Sequence, residues 1–223
     1  MTVFIVVPVF NEAPVLRQVV EELLLLYPHV LIVDDGSTDH SSETVEGLPV
    51  LRIRHLVNRG QGAAIQTGIQ LAIAKGADAV VTFDADGQHD PRDIEKLLGP
   101  IEAGEADAVL GSRFLEKGPR LPPGRRLLLK GAIFFTRLTT GLPITDAHNG
   151  LRAFSRKGAS KIVFKMDRMA HASELFEILS KEKLRYQEVP VNIRYTPYSL
   201  RKGQGGWDLL KILWSLAERS FLR

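Results

Sequence analysis

Short apolar runs recur through the first half of the chain, each stopped by turn residues and followed by helical spacing. Val3 to Pro8 reads as a buried strand, followed by a helix expected over Glu12 to Tyr27 that ends before Pro28. Val30 to Asp34 is a second strand, stopped by DDGSTD, and Val50 to Arg54 a third, leading to a small-residue helix over Gly62 to Ala74. Ala77 to Phe83 precedes a helix over Pro91 to Ala103, whose proline suits a first turn. Ala106 to Leu110 ends at Gly111-Ser112-Arg113. Strands that alternate with helices imply an α/β fold, a mostly parallel central sheet flanked by helices. Ligands of such sheets gather beyond the carboxyl ends of the strands. Acids stand at those ends: Asp34 and Asp35 after the second strand, Asp84 and Asp86 after the fourth.

The stretch Asp84-Ala85-Asp86-Gly87-Gln88-His89-Asp90 is the most informative of these. In extended backbone, residues two apart point to the same side, so Asp84 and Asp86 can converge on one ligand. Hard oxygen donors suit Mg2+ or Mn2+, which keep waters and accept phosphate oxygens. A calcium loop would use Asp84, Asp86, Gln88, Asp90 and Glu95, but His89 stands where its sharp turn needs glycine, and Pro91 interrupts it. Turn chemistry accounts for Gly87 but not for two acids beyond a buried strand. After the second strand, Ser37, Thr38 or Asp39 can cap the next helix, which leaves Asp35 to accept from the N–H edge of a nucleobase. Glycines in Asn58-Arg59-Gly60-Gln61-Gly62 allow close approach to a ligand, or close helix–sheet packing.

The absence of cysteine removes disulfides, thiolate catalysis and cysteine-held zinc. A net charge of +3 fits a phosphate-bearing partner. The apolar N-terminus is too short for a signal sequence, and no window suits a spanning helix, so a soluble or membrane-peripheral protein is expected. From residue 115 the pattern changes. Lys117, Arg120, Arg125, Arg126, Lys130 and Arg137 are interleaved with Leu127 to Leu129 and Ala132 to Phe135, with no acid among them. This reads as a basic amphipathic element on a membrane surface, or as a core helix with snorkelling charges. Residues 205–223 form another amphipathic helix with Trp207, Leu210, Trp214, Ala217 and Phe221 in one stripe, able to dock on the sheet, touch lipid or pair two subunits as a homodimer. Nucleic acid is not an expected partner, because the bases alternate with aliphatic rather than stacking side chains.

Six motifs follow one another at characteristic spacings: VPVFNE (7–12), VDDGSTD (33–39), NRGQGAA (58–64), DADGQHDP (84–91), GSR (111–113) and DAHNGLRAFSR (146–156). Together they resemble glycosyltransferase family 2, with the GT-A fold, and most closely its polyprenyl-phosphate sugar transferases such as the dolichol-phosphate mannose synthases. The resemblance spans residues 3 to 204, which implies one GT-A domain over 1–204. Residues 1–113 would be its nucleotide-binding half and 114–204 its acceptor- and membrane-facing half. It further implies that Pro8, Phe10, Glu12, Val33 and Asp35 hold the base and ribose of a UDP- or GDP-sugar. Asp84, Ala85 and Asp86 would meet ribose and diphosphate, Asp86 and Gln88 would ligate Mg2+ or Mn2+, and Arg113 would approach the donor phosphates or sugar. Asp146, Glu174 of ASELFEIL, and EVPVNIRY followed by YSLRKGQ would shape the sugar and acceptor side. The chain departs from the mannose synthases at Gly206, where they carry lysine, so the basic clamp on the diphosphate falls to Arg201 or Lys202.

The implied reaction is an inverting transfer to polyprenyl phosphate at the cytoplasmic membrane face. A phosphate monoester, with a second pKa of about 6, is already ionised and needs no strong base. A hydroxyl acceptor on a glycan or glycolipid would need one, from Asp146 or Glu174. Without catalysis, the same features would make a nucleotide-binding module at a membrane surface.

Overall fold

In a computed structural model of the chain, residues 1–115, 123–147, 149–164, 171–194 and 198 are described, without the side chains of 123–130, 132, 171 and 172. Among these residues a single sheet holds β1 (Val3–Val9), β2 (Val30–Asp34), β3 (Leu51–Arg54), β4 (Ala79–Thr82), β5 (Ala108–Ser112), β6 (Arg152–Ser155) and β7 (Tyr186–Pro190). Their order is β3-β2-β1-β4-β6-β5-β7. All neighbours pair in parallel except β6, which runs antiparallel to β4 and β5 on either side.

The helices are α1 (Leu16–Leu24), α2 (Gln61–Ala74), α3 (Asp93–Glu102), α4 (Pro123–Thr140), α5 (Arg156–Lys161) and α6 (His171–Lys181). The strands alternate in sidedness. Ile5, Val7 and Val9 face a core closed by Val19, Val20 and Leu23 of α1 and by Ile94 and Leu97 of α3. Phe4 and Val6 face a second core, with Ile65 and Ile69 of α2 and Leu175, Phe176 and Leu179 of α6. Covering on both faces is why the strands read as unbroken apolar runs.

Most boundaries shift by one to four residues from the sequence expectation. α3 starts at Asp93, so Pro91 lies in the turn before it rather than in its first turn, and α1 ends at Leu24 rather than Tyr27. α1 begins at Leu16 rather than Glu12, because Asn11 adopts a φ of 56° and the Glu12 carbonyl is occupied by Val15 and Leu16 N–H in a turn. β4 is shorter at both ends than Ala77 to Phe83, and β5 lies two residues later than Ala106 to Leu110. The helices and strands after residue 140 add to this sheet rather than forming a separate layer: β6 of the second half lies between β4 and β5 of the first. The basic element after residue 115 contains α4, and no described helix is long and apolar enough to cross a membrane. Lys117, Arg120 and the helix expected over 205–223 lie outside the described residues.

Candidate active site

The carboxyl ends of β1, β2, β4, β5 and β7 share one edge, and the reversed β6 starts there. That edge therefore receives residues 10–12, 35–37, 83–90, 113, 146, 147, 149–151, 191–194 and 198. Asp34 and Asp35 both serve the loops between them. Asp34 Oδ1 accepts from Ser37 N–H at 2.8 Å, and its other oxygen accepts from Ser42 Oγ. Asp35 accepts from Arg59 N–H at 3.0 Å, Gly60 N–H at 2.6 Å and His55 Nδ1 at 2.7 Å. Asp35 thus holds the loop that opens α2, and any base contact would use its remaining acceptor capacity. Pro8 pairs with Val33 across β1 and β2. Val33 and Ala85 are buried in the cores, so a ligand at this edge would meet their backbone, whereas Phe10 is exposed.

Asp84 is held on both carboxylate oxygens: Gln61 Nε2 lies 2.9 Å from Oδ1 and His89 Nε2 lies 3.1 Å from Oδ2. Gly150 closes the third side, where a Cβ would fall 2.0 Å from Asp84 Oδ2. Gly87, at a φ of 75°, turns the chain after Asp86. Asp86 accepts from Gln88 N–H at 3.0 Å. Burial and then the charge on Asp84 push the Asp86 carboxyl up to about 6. Asp90 accepts from Arg92 N–H through its side chain and from Asp93 N–H through its carbonyl, starting α3.

On the far side of Asp84, Arg113 forms a bidentate pair with Asp146, Nε to Oδ2 at 2.6 Å and Nη2 to Oδ1 at 2.8 Å. Two expected site residues are thus brought together, and the guanidinium orients the carboxylate. Arg152 is buried nearby; burial lowers it to about 10 while Asp84 and Asp146 act to hold its charge. Glu174 is buried in the first turn of α6, a helix that packs against α4 and α2. Arg201 and Lys202 lie outside the described residues.

Three residues of this edge were not legible as site residues. His89 reads as a loop residue, yet it is 4% exposed and braces Asp84. Glu188 of β7 accepts from Thr145 N–H at 2.8 Å and Asp146 N–H at 3.2 Å, fixing the turn that presents Asp146; burial raises its carboxyl. Tyr198 donates to Glu12 Oε2 at 2.8 Å. Only the EVPVNIRY and YSLRKGQ motifs hinted at the last two. A cleft of about 390 Å³ lies beside this loop, walled by α1, Phe83, Asp86, His89, Arg194 and Tyr198.

Among the described residues no group of three or more His, Asp or Glu side chains is gathered as a metal cage. The donor set still fits Mg2+ or Mn2+, which take one or two carboxylates and complete their shell with water and phosphate. Burial, and then the charge on Asp84, disfavour the ionised Asp86, and a bound cation would favour it. Two buried polar atoms here, His89 Nδ1 and Asn149 Nδ2, have no hydrogen-bond partner among the described residues.

Comparison with known proteins agrees with this geometry. The model of glycosyl transferase family 2 matches residues 4–163. The UDP-N-acetylglucosamine–dolichyl-phosphate N-acetylglucosaminyltransferase of Methanococcus voltae is 35% identical over 96% of this chain and 94% of its own. The polyprenol monophosphomannose synthase of Mycolicibacterium smegmatis is 34% identical over 71% of this chain and 63% of its own. Among solved structures, glucosyl-3-phosphoglycerate synthase from Mycobacterium tuberculosis, in complex with Mn2+, UDP and phosphoglyceric acid, superposes with a TM-score of 0.66 at 20% identity, covering 96% of this chain and 78% of that one. The fold is GT-A, and the chain belongs to glycosyl transferase family 2, as a glycosyltransferase.

Proposed function

We propose that the protein transfers a sugar from a UDP- or GDP-sugar to a polyprenyl phosphate, inverting the anomeric centre, at the cytoplasmic face of a membrane. The observation that carries this reading is the Asp84–Asp86 pair at the carboxyl edge, with Asp86 lifted to about 6 by burial and by the charge on Asp84. Asp86 and Gln88 would hold Mg2+ or Mn2+, which when bound neutralises charge developing on a departing diphosphate. Asp84, braced by Gln61 and His89, is poised for the ribose or diphosphate. Arg201 or Lys202 would complete the clamp on the phosphates.

The acceptor side favours a phosphate over a hydroxyl. Of the two candidate bases, Asp146 is engaged at both oxygens by Arg113, which leaves it poorly placed to take a proton from an alcohol, and Glu174 is buried on α6. A phosphate nucleophile requires no such transfer. The dolichyl-phosphate and polyprenol enzymes among the relatives support the same acceptor class. Phe134 and Leu138, one turn apart on α4, are 68% and 73% exposed and supply an apolar face for a membrane surface.

The test is a donor screen of UDP- and GDP-sugars with Mn2+, with and without a short-chain polyprenyl phosphate. Labelled sugar in the organic phase is the expected result. Donor cleavage that is indifferent to the lipid phosphate would favour a hydroxyl acceptor, and binding of UDP or GDP without any cleavage would remove the enzymatic reading.

A further inference from the structure

The chain leaving β7 turns back over the loop that carries Asp86 and Gln88. Val191 N–H donates to the Ser112 carbonyl at 3.1 Å, and Asn192 N–H donates to Asp93 Oδ2 at 2.7 Å. Ile193 forms an antiparallel bridge with His89. Arg194 N–H donates to the Gln88 carbonyl at 2.7 Å, and its guanidinium forks between Asp90 Oδ2 at 2.5 Å and Glu22 Oε2 at 3.2 Å. Four consecutive residues after β7 therefore fasten the 88–93 segment to the sheet and, through Glu22, to α1.

We propose that the Arg194 side chain is a positioning group for the metal loop, acting through its fork to Asp90 and Glu22; this rests on the proposed function, in which Asp86 and Gln88 hold the cation. Between the end of β4 and the start of α3 the loop has no helix or strand of its own, and Gly87 gives it a freely turning joint. The main-chain bond from Arg194 N–H to the Gln88 carbonyl is one that any residue but proline would make at 194. What the Arg194 side chain adds is the fork that ties Asp90, two residues beyond Gln88, to Glu22 of α1 and so fixes the loop backbone that directs Gln88. The far end of the grip is rigid, because α1 is seated in the core by Leu16, Val19, Val20 and Leu23. Residues that orient ligands without touching the ion commonly change metal affinity by about 10–100-fold when removed.

The sign of the effect separates this role from simple electrostatics. Arg194 and Asp86 line the same cleft. Removing a cation from that neighbourhood would, by Coulomb's law alone, tighten a second cation's binding. A positioning role demands the opposite.

The experiment is a Mn2+ titration read by electron paramagnetic resonance, with UDP and in parallel with GDP, on the full chain. Arg194→Ala is expected to weaken Mn2+ binding about tenfold, with Arg194→Lys and Glu22→Gln intermediate. Arg194 is 43% exposed at its side chain, so the variants should keep the wild-type circular dichroism spectrum. Arg185→Ala breaks an ion pair with Asp107 before β5 and serves as the control: lower melting temperature, unchanged Mn2+ affinity. Unchanged or tighter Mn2+ binding by Arg194→Ala overturns the positioning role and leaves the proposed function standing. Absence of Mn2+ binding by the wild-type protein with both nucleotides overturns the metal reading, and the role of Arg194 with it.

Discussion

At neutral pH the Asp86 carboxylate carries a charge where burial and Asp84 disfavour one, which lifts its carboxyl from an ordinary 3.8 to about 6. Between those values the folded chain binds the proton more tightly than the unfolded chain, so stability falls as pH rises through that window. Above pH 6 the penalty is complete; below about 4 it vanishes. Asp86→Asn is therefore expected to stabilise the metal-free protein by about 1–2 kcal/mol at pH 8, with the gain fading by pH 4, after discounting for part-exposure. The same substitution should abolish metal-dependent turnover. Denaturant melts at a series of pH values check the first half, and equal stability at pH 8 would refute it. Gly150 offers a second residue test. A Cβ there would fall 2.0 Å from Asp84 Oδ2, and Gln61 and His89 hold that carboxylate from its other sides. Gly150→Ala should weaken donor-nucleotide binding by at least about tenfold, roughly the 1–3 kcal/mol of an overpacked site. Calorimetry with UDP or GDP measures it.

Elements differ in how much of themselves they show in sequence. β1, β2 and β4 were legible because both their faces are buried, so nearly every position is apolar and the polar residues mark the strand ends. β6 reads Arg-Ala-Phe-Ser, too short to reveal a period, and its buried Arg152 donates to the Asn149 carbonyl and lies in the field of Asp84 and Asp146. β7 reads Tyr-Gln-Glu-Val-Pro and is half-buried throughout, which in sequence looks like a loop. Glu188 was hidden because its partners, Thr145 and Asp146, arrive from a distant segment, and His89 because its bond to Asp84, five residues back, depends on a turn that spacing does not show. The join of β5, β7 and α5 rests on Asp107, which accepts from Arg185 at N, Nε and Nη2 and from Lys157 Nζ. Arg185 foremost holds its carboxyl at about 2, below an ordinary 3.8. Its contribution is present above pH 4 and lost as pH falls through 2. Because both cationic partners are more than half exposed, about 1–2 kcal/mol is expected. Asp107→Asn should melt lower than wild type at pH 7, and the two curves should converge near pH 2. Parallel curves across that range would assign the loss to packing.

For the whole molecule, the two layers of helices do unequal work. α1 and α3 close one core, while α4 on the other side leaves Phe134 and Leu138 outward. If that face meets lipid, Phe134→Asp combined with Leu138→Asp should lower sedimentation with anionic vesicles about tenfold or more, each side chain forfeiting roughly 1.5–3 kcal/mol of apolar transfer. UDP or GDP affinity should not change, and wild-type sedimentation by the double variant would place the contact elsewhere.

The reversal of β6 has its own outcome for the whole. Leu110 near the end of β5 lies directly opposite Arg152 at the start of β6, so the chain departs and returns at neighbouring points of one edge. Everything between, from Arg113 to Leu151, is an excursion with its two feet together. Lengthening such a loop costs only about 0.6 kcal/mol per doubling, and no strand has to move. If that excursion carries the acceptor side, as proposed, its length can change between relatives while β1, β2 and β4 keep their places in the sheet.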